Sequence, residues 1–124
     1  MSKILLSIKP EYVKKILDGV KKYEFRKRLA KDVTKIIIYS SSPEKRIVGE
    51  AEVVGTLELP VSGLWEITRK YAGIPRDRFF KYFEDSKNGY AYELGNVVVY
   101  EKPKTLEEYG ISLAPQSFVY IAEE

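Results

Sequence analysis

The chain has 124 residues, 44% of them hydrophobic and 31% charged, the size and balance of one folded domain spanning 1–124 rather than a disordered segment. It contains no cysteine and no histidine, which excludes disulfides, thiolate nucleophiles, imidazole bases and the common transition-metal sites. No metal or cofactor is therefore expected, and any chemistry falls to Lys, Arg, Asp/Glu, Ser/Thr or Tyr. Charge is uneven: residues 1–46 carry 13 Lys/Arg against 5 Asp/Glu (+8), and residues 47–124 carry 8 against 13 (−5), so a polyanion would dock on the basic first half.

In chain order, KILLSI (3–8) is a short apolar run suited to a buried strand. Pro10 opens a helix with Tyr12, Val13, Ile16 and Leu17 at helical spacing, and Gly19 closes it as a left-handed cap. The period then changes to two: in KKYEFRK, Tyr23 and Phe25 point toward the core, while Lys22, Glu24 and Arg26 share the polar face. KIIIY (35–39) reads as a central strand that stops at the polar loop SSSP (40–43). RIVGEAEVVGTLEL (46–59) alternates throughout, with Gly49 and Gly55 as bending points.

Residues 63–89 are helical, with Leu64, Ile67 and Tyr71 inward on one helix and Phe79, Phe80 and Phe83 inward on a second opened by Pro75. Strands follow over 89–103, broken at Gly95 and Asn96, then a turn-rich segment and a last strand, QSFVYIA. There is no βαβ rhythm and no repeat. This order predicts an α+β domain, a small curled β-barrel flanked by helices. Neither an apolar run of membrane-spanning length nor a signal-peptide pattern is present, so a cytoplasmic protein is expected. One Gln and two Asn among many Lys and Glu resemble a heat-adapted, thermostable composition.

The chemistry concentrates between Asp18 and Arg28. Glu24 sits two residues before Arg26 on one strand face and just after the turn bearing Lys21, placed to orient both cations. Two rigid cations beside the Gly19 turn suit a phosphate, a carboxylate or the edge of a base, and Ser40 and Ser41 add donors from the neighbouring strand end. The plain alternative is an exposed ion pair on an edge strand.

Gly19, Lys21, Glu24 and Arg26 form G-x-K-x-x-E-x-R. With SIKPEYVKKILDG before it and YSSSP, VGEAEV, AYELGNVVVYEKP and PQSFVYI after it, the chain resembles the ASCH domain family of PUA-like folds over nearly its whole length. The resemblance implies a small β-barrel with a cleft lined by Lys21, Glu24 and Arg26, the turn being permitted by Gly19, and RNA or a modified nucleoside as partner. It also implies rivals. One branch of the family resembles an amidohydrolase for acetylated cytidine, with the lysine as base and a threonine where this chain has Glu24; other members are thought to cut RNA; the family name itself points to a coactivator-type protein-interaction module.

Lys21 and Glu24 are the candidate catalytic pair. The carboxylate should hold Lys21 charged, which favours binding over catalysis. Glu50, Glu52 and Glu93 are secondary acid candidates, and Tyr39, Tyr90, Tyr92, Tyr100 and Tyr120 are candidates for base stacking. Oligomeric state is not legible.

Overall fold

The β-branched run Ile36–Ile38 lies in the interior of a six-stranded mixed sheet of order β2-β5-β4-β3-β1-β6 in the computed structural model, which describes residues 1–122. The elements are β1 (Ser2–Ile8), α1 (Pro10–Leu17), β2 (Tyr23–Arg26), β3 (Val33–Ser40), β4 (Arg46–Pro60), α2 (Val61–Thr68), α3 (Arg76–Tyr82), β5 (Asn88–Lys104) and β6 (Phe118–Ile121). Short 3-10 turns at Arg69–Tyr71 and Leu106–Tyr109 complete them. All pairings are antiparallel except β1 with β3, so the sequence conceals one parallel crossover through α1 and β2.

Both faces of the sheet are covered. On one, Ile4, Leu6, Ile8, Ile36 and Ile38 pack with Val13 and Ile16 of α1. On the other, Leu5, Ile37, Tyr39 and Ile47 lie beneath the C-terminal segment through Tyr109 and Ile111. Continuous apolar runs in β1 and β3 follow directly, since a strand buried on both faces has no side to give to water.

A further cluster joins the helices to the far end of the sheet. Phe25, Leu64, Phe79, Phe83 and Ala91 are buried together. Phe79 meets Phe25 at 5.0 Å between ring centroids and Phe83 at 5.1 Å, edge to face, the arrangement aromatic rings prefer. This cluster fixes α3 against β2. Ile67 and Tyr71, expected inward, are instead 59% and 37% exposed, and Thr68 takes the buried position. The Thr68 hydroxyl donates to Leu64 O at 2.7 Å, so a polar residue is accommodated without loss of a hydrogen bond.

The sheet does not close into the expected barrel. β2 has four residues and pairs only with β5, while the outer neighbour of β1 is β6, so β2 and β6 remain edges. β4 and β5 supply the curl through register shifts at Ile47/Gly49, Ala51/Val53 and Val53/Gly55. Gly49 is required there: a Cβ on it would lie 2.5 Å from Val98 O. The same shifts keep β5 in one piece across Gly95 and Asn96, where a break was predicted.

Phe79→Ala is expected to lower stability by about 3–5 kcal/mol, the usual cost of a large aromatic removed from a core. Urea unfolding checks this as a lower midpoint with an unchanged slope. A loss under about 1 kcal/mol would mean the aromatic cluster does not hold α3 in place.

Candidate functional site

Gly19 ends α1 at φ +82°, and the Val20 and Lys21 amides both return to Lys15 O at 3.1 Å. That turn sends Lys21 inward. Its side chain is only 3% exposed, and its Nζ donates to Ala72 O at 2.6 Å. The ammonium lies 4.9 Å from the Phe25 ring centroid and 5.3 Å from that of Tyr12. The stem runs along Gly73, which has φ +64° and on which a Cβ would fall 2.5 Å from Lys21 Cβ. Gly73 is therefore needed twice, for its backbone and for the space it leaves.

Burial lowers the Lys21 pKa from 10.5 to about 8. Glu24 opposes that shift, as the sequence predicts, while Lys15 and Arg26 add to it. Desolvation thus outweighs the pull of Glu24 toward the charged form, an effect periodicity could not register, although a pKa of about 8 leaves Lys21 mainly charged at neutral pH.

Glu24 is 6% exposed, although alternation places it on a polar face. Arg26 donates to Glu24 Oε2 from Nη2 at 2.8 Å and from Nε at 3.2 Å, and Nη2 also reaches Ser7 O of β1 at 2.9 Å. Both carboxylate bonds end on one oxygen. The pair is mostly withdrawn from solvent, Glu24 buried and Arg26 partly so, not the exposed ion pair that edge-strand chemistry allows, and it spans the gap the backbone leaves open between β2 and β1.

At that gap lies a cavity of about 650 Å³. Lys21, Glu24, Phe25 and Arg26 form one wall, Ser7 to Lys9 with Ser41 a second, and Tyr12 with the α3 residues Arg78, Lys81 and Tyr82 a third, completed by Ile74, Pro115 and Gln116. Among the described residues, five cations (Lys9, Lys21, Arg26, Arg78, Lys81) thus face it with one carboxylate, Glu24. Arg78 also pairs with Glu11 of α1 at 3.2 Å, joining the two helices at the rim. Of the predicted residues, Lys21, Glu24, Arg26 and Ser41 converge here; Gly19 shapes the turn behind them. Ser40 does not line the cavity: it is fully buried at the end of β3, its hydroxyl without a partner among the described residues.

Glu50 lies elsewhere, bound by Lys35 at 2.8 Å and by the Tyr100 hydroxyl at 2.8 Å, and Glu52 and Glu93 are also away from the cavity. None of the five strand tyrosines reaches it. Tyr39 is core, the Tyr92 hydroxyl accepts from Ala30 N, and the Tyr120 hydroxyl is bonded to the Lys31 backbone. Tyr12 and Tyr82 take that place. Arg78, Lys81 and Tyr82 share one helix face, and that spacing was the available signal for them.

Fold and cavity together define a class: an α+β domain with a cation-rich cavity at the open seam of a curled sheet. The chain belongs to the ASCH domain family, whose model matches residues 6–109. It is 29% identical over 92 residues to an ASCH domain-containing ribonuclease of Zymomonas mobilis, covering 73% of this chain and 62% of that protein. It is 28% identical over 120 residues to ATP synthase subunit alpha of Ureaplasma parvum, of whose length it spans only 15%. The crystal structure of ASCH from Zymomonas mobilis superposes with a TM-score of 0.90 at 25% identity, over 98% of this chain and 89% of that one.

A folded-state pKa of about 8 against an unfolded value of 10.5 has a definite sign for stability. Between these values the unfolded chain binds more protons at Lys21, so the contribution of this residue to stability rises with pH. The stability of the wild type relative to Lys21→Met should therefore increase from about pH 8 toward pH 10.5, by as much as about 3 kcal/mol. Denaturation at a series of pH values checks this; a flat difference would return Lys21 to the ordinary lysine range.

Proposed function

We propose that the cavity at the β1–β2 seam binds RNA, seating one nucleotide unit with its phosphate toward Lys21, Arg26 and Arg78. The carrying observation is the convergence of these cations, from three separate elements, on a space of about 650 Å³. That is a nucleotide-sized volume within the usual range of ligand sites, roughly 300–1,000 Å³. In this reading Glu24 is an orienter. It fixes the Arg26 guanidinium and leaves its Nη1 edge for the ligand, while Tyr12, Phe25 and Tyr82 offer apolar surface to a base. Kinship with a protein named as a ribonuclease supports RNA over other anions.

Fluorescence anisotropy with labelled single-stranded RNA tests it. Binding should weaken as salt rises, and Lys21→Ala or Arg26→Ala should each cost about tenfold in affinity. No salt-dependent binding at low ionic strength would refute the proposal.

One observation favours a second reading, RNA cleavage: the lowered pKa of Lys21 leaves part of it as free amine near neutral pH. The neutral amine would take the proton of a ribose 2′-hydroxyl, whose oxygen attacks the adjacent phosphorus. The P–O5′ bond of the next nucleotide then breaks, its oxygen leaving as a 5′-hydroxyl with a proton taken from solvent, giving a 2′,3′-cyclic phosphate. Cleavage should increase with pH up to about 8, disappear in Lys21→Met and spare RNA lacking the attacking hydroxyl. Intact RNA after long incubation with the wild type, judged by mass spectrometry, would leave binding alone. An amidohydrolase route is less well served, because Glu24 is tied to Arg26 and is no substitute for a hydroxyl nucleophile.

A further inference from the structure

A second basic surface lies across the ridge formed by residues 71–76, and core packing does not explain it. The inner side of this ridge serves the cavity: Ala72 O holds Lys21, Gly73 accommodates its stem, and Ile74 lines the wall. The outer side carries exposed Tyr71 and Arg76. Two ammonium groups meet at the Tyr71 ring, Lys22 at 4.3 Å and Lys70 at 5.7 Å from its centroid. Beyond them Arg69, Lys70 and Arg76 surround an open depression with Trp65, Ile67 and one acid, Glu66, in its wall. Arg76 sits over Phe80, its guanidinium carbon 4.8 Å from the ring centroid.

Among the described residues, Lys22, Lys70 and Arg76 have no carboxylate within 4.0 Å, and Arg69 has only Glu66 at 3.8 Å. Unneutralised cations lie beside exposed Ile67, Tyr71 and part of Trp65. They suit a single-stranded nucleic acid, whose phosphates take the charges and whose bases take the apolar faces. Lys21 and Lys22 are consecutive, yet the Lys21 ammonium sits on Ala72 O beside the cavity and the Lys22 ammonium over the Tyr71 ring on this surface.

We infer that the outer face of α2 and α3 is a continuation of the RNA path. One nucleotide occupies the cavity and the strand crosses the ridge, its following phosphates held by Lys22 with Lys70 and then by Arg76. This rests on the RNA reading of the cavity and adds to it a footprint several nucleotides long.

Labelled oligouridylates of three and twelve nucleotides, titrated at several salt concentrations, separate the two ideas. The 12-mer should bind the wild type about tenfold or more tighter than the 3-mer, with a steeper salt dependence. The triple variant Lys22→Gln, Lys70→Gln, Arg76→Gln should lose that advantage, its salt slope falling by about 2 for three lost single-strand contacts, while 3-mer affinity stays within about twofold. All three positions are exposed, and the wild type supplies an independent readout: the 12-mer, not the 3-mer, should protect Lys22 and Lys70 from acetylation. An unchanged 12-mer affinity in the variant, or unprotected lysines, overturns the continuation alone. Absence of binding at both lengths removes the cavity reading and the continuation with it.

Discussion

The Arg26 guanidinium does what the backbone of this sheet leaves undone. β2 is too short and too far from β1 to share a ladder with it, so the curl ends in a seam instead of a closed barrel. Arg26 bridges that seam by holding Glu24 on its own strand and a main-chain carbonyl of β1 at once. A neutral side chain would leave Glu24 as a buried carboxylate without a partner, which is costly. The clamp therefore ties together strand edge, buried charge and cavity wall.

Lys21 shows how much of its state belongs to neighbours remote in sequence. Its ammonium is taken from water by a loop some fifty residues away, and the left-handed Gly73 makes the close approach possible. One carbonyl and two aromatic faces replace only part of the lost hydration, so the charged form is penalised even with Glu24 nearby. A lysine left partly neutral and a carboxylate already committed to an arginine are unequal partners. The first can exchange a proton near neutral pH; the second can mainly hold geometry.

The aromatic cluster connects this chemistry to folding. Phe25 contributes to the wall of the cavity and packs against Phe79 and Phe83, so the helix that brings Arg78, Lys81 and Tyr82 to the site is anchored by the strand that carries the signature residues. The helices are also where periodicity misled. Ile67 and Tyr71 have the spacing of core positions, yet α2 turns Leu64 and Thr68, four residues apart, to the core and leaves Ile67 and Tyr71 exposed. They lie exposed beside Lys22, Lys70 and Arg76, which have no carboxylate partner among the described residues.

The sequence by itself determined the elements with strong local causes. Two-sided burial wrote the apolar runs of β1 and β3, Pro10 and Gly19 bounded α1, and period two marked β2 and β4. It also brought Gly19, Lys21, Glu24 and Arg26 into one short segment, and hence the family. Whether the sheet closed, which residues of α3 faced the signature strand, and which tyrosines lay near it depended on contacts between distant segments, which no local period encodes. Burial of Glu24 and the lowered pKa of Lys21 belong to the same class. Alternation says which side of a strand a residue occupies, but only the assembled fold decides whether that side meets water, and desolvation is the physical term that turns a charged strand face into a candidate site.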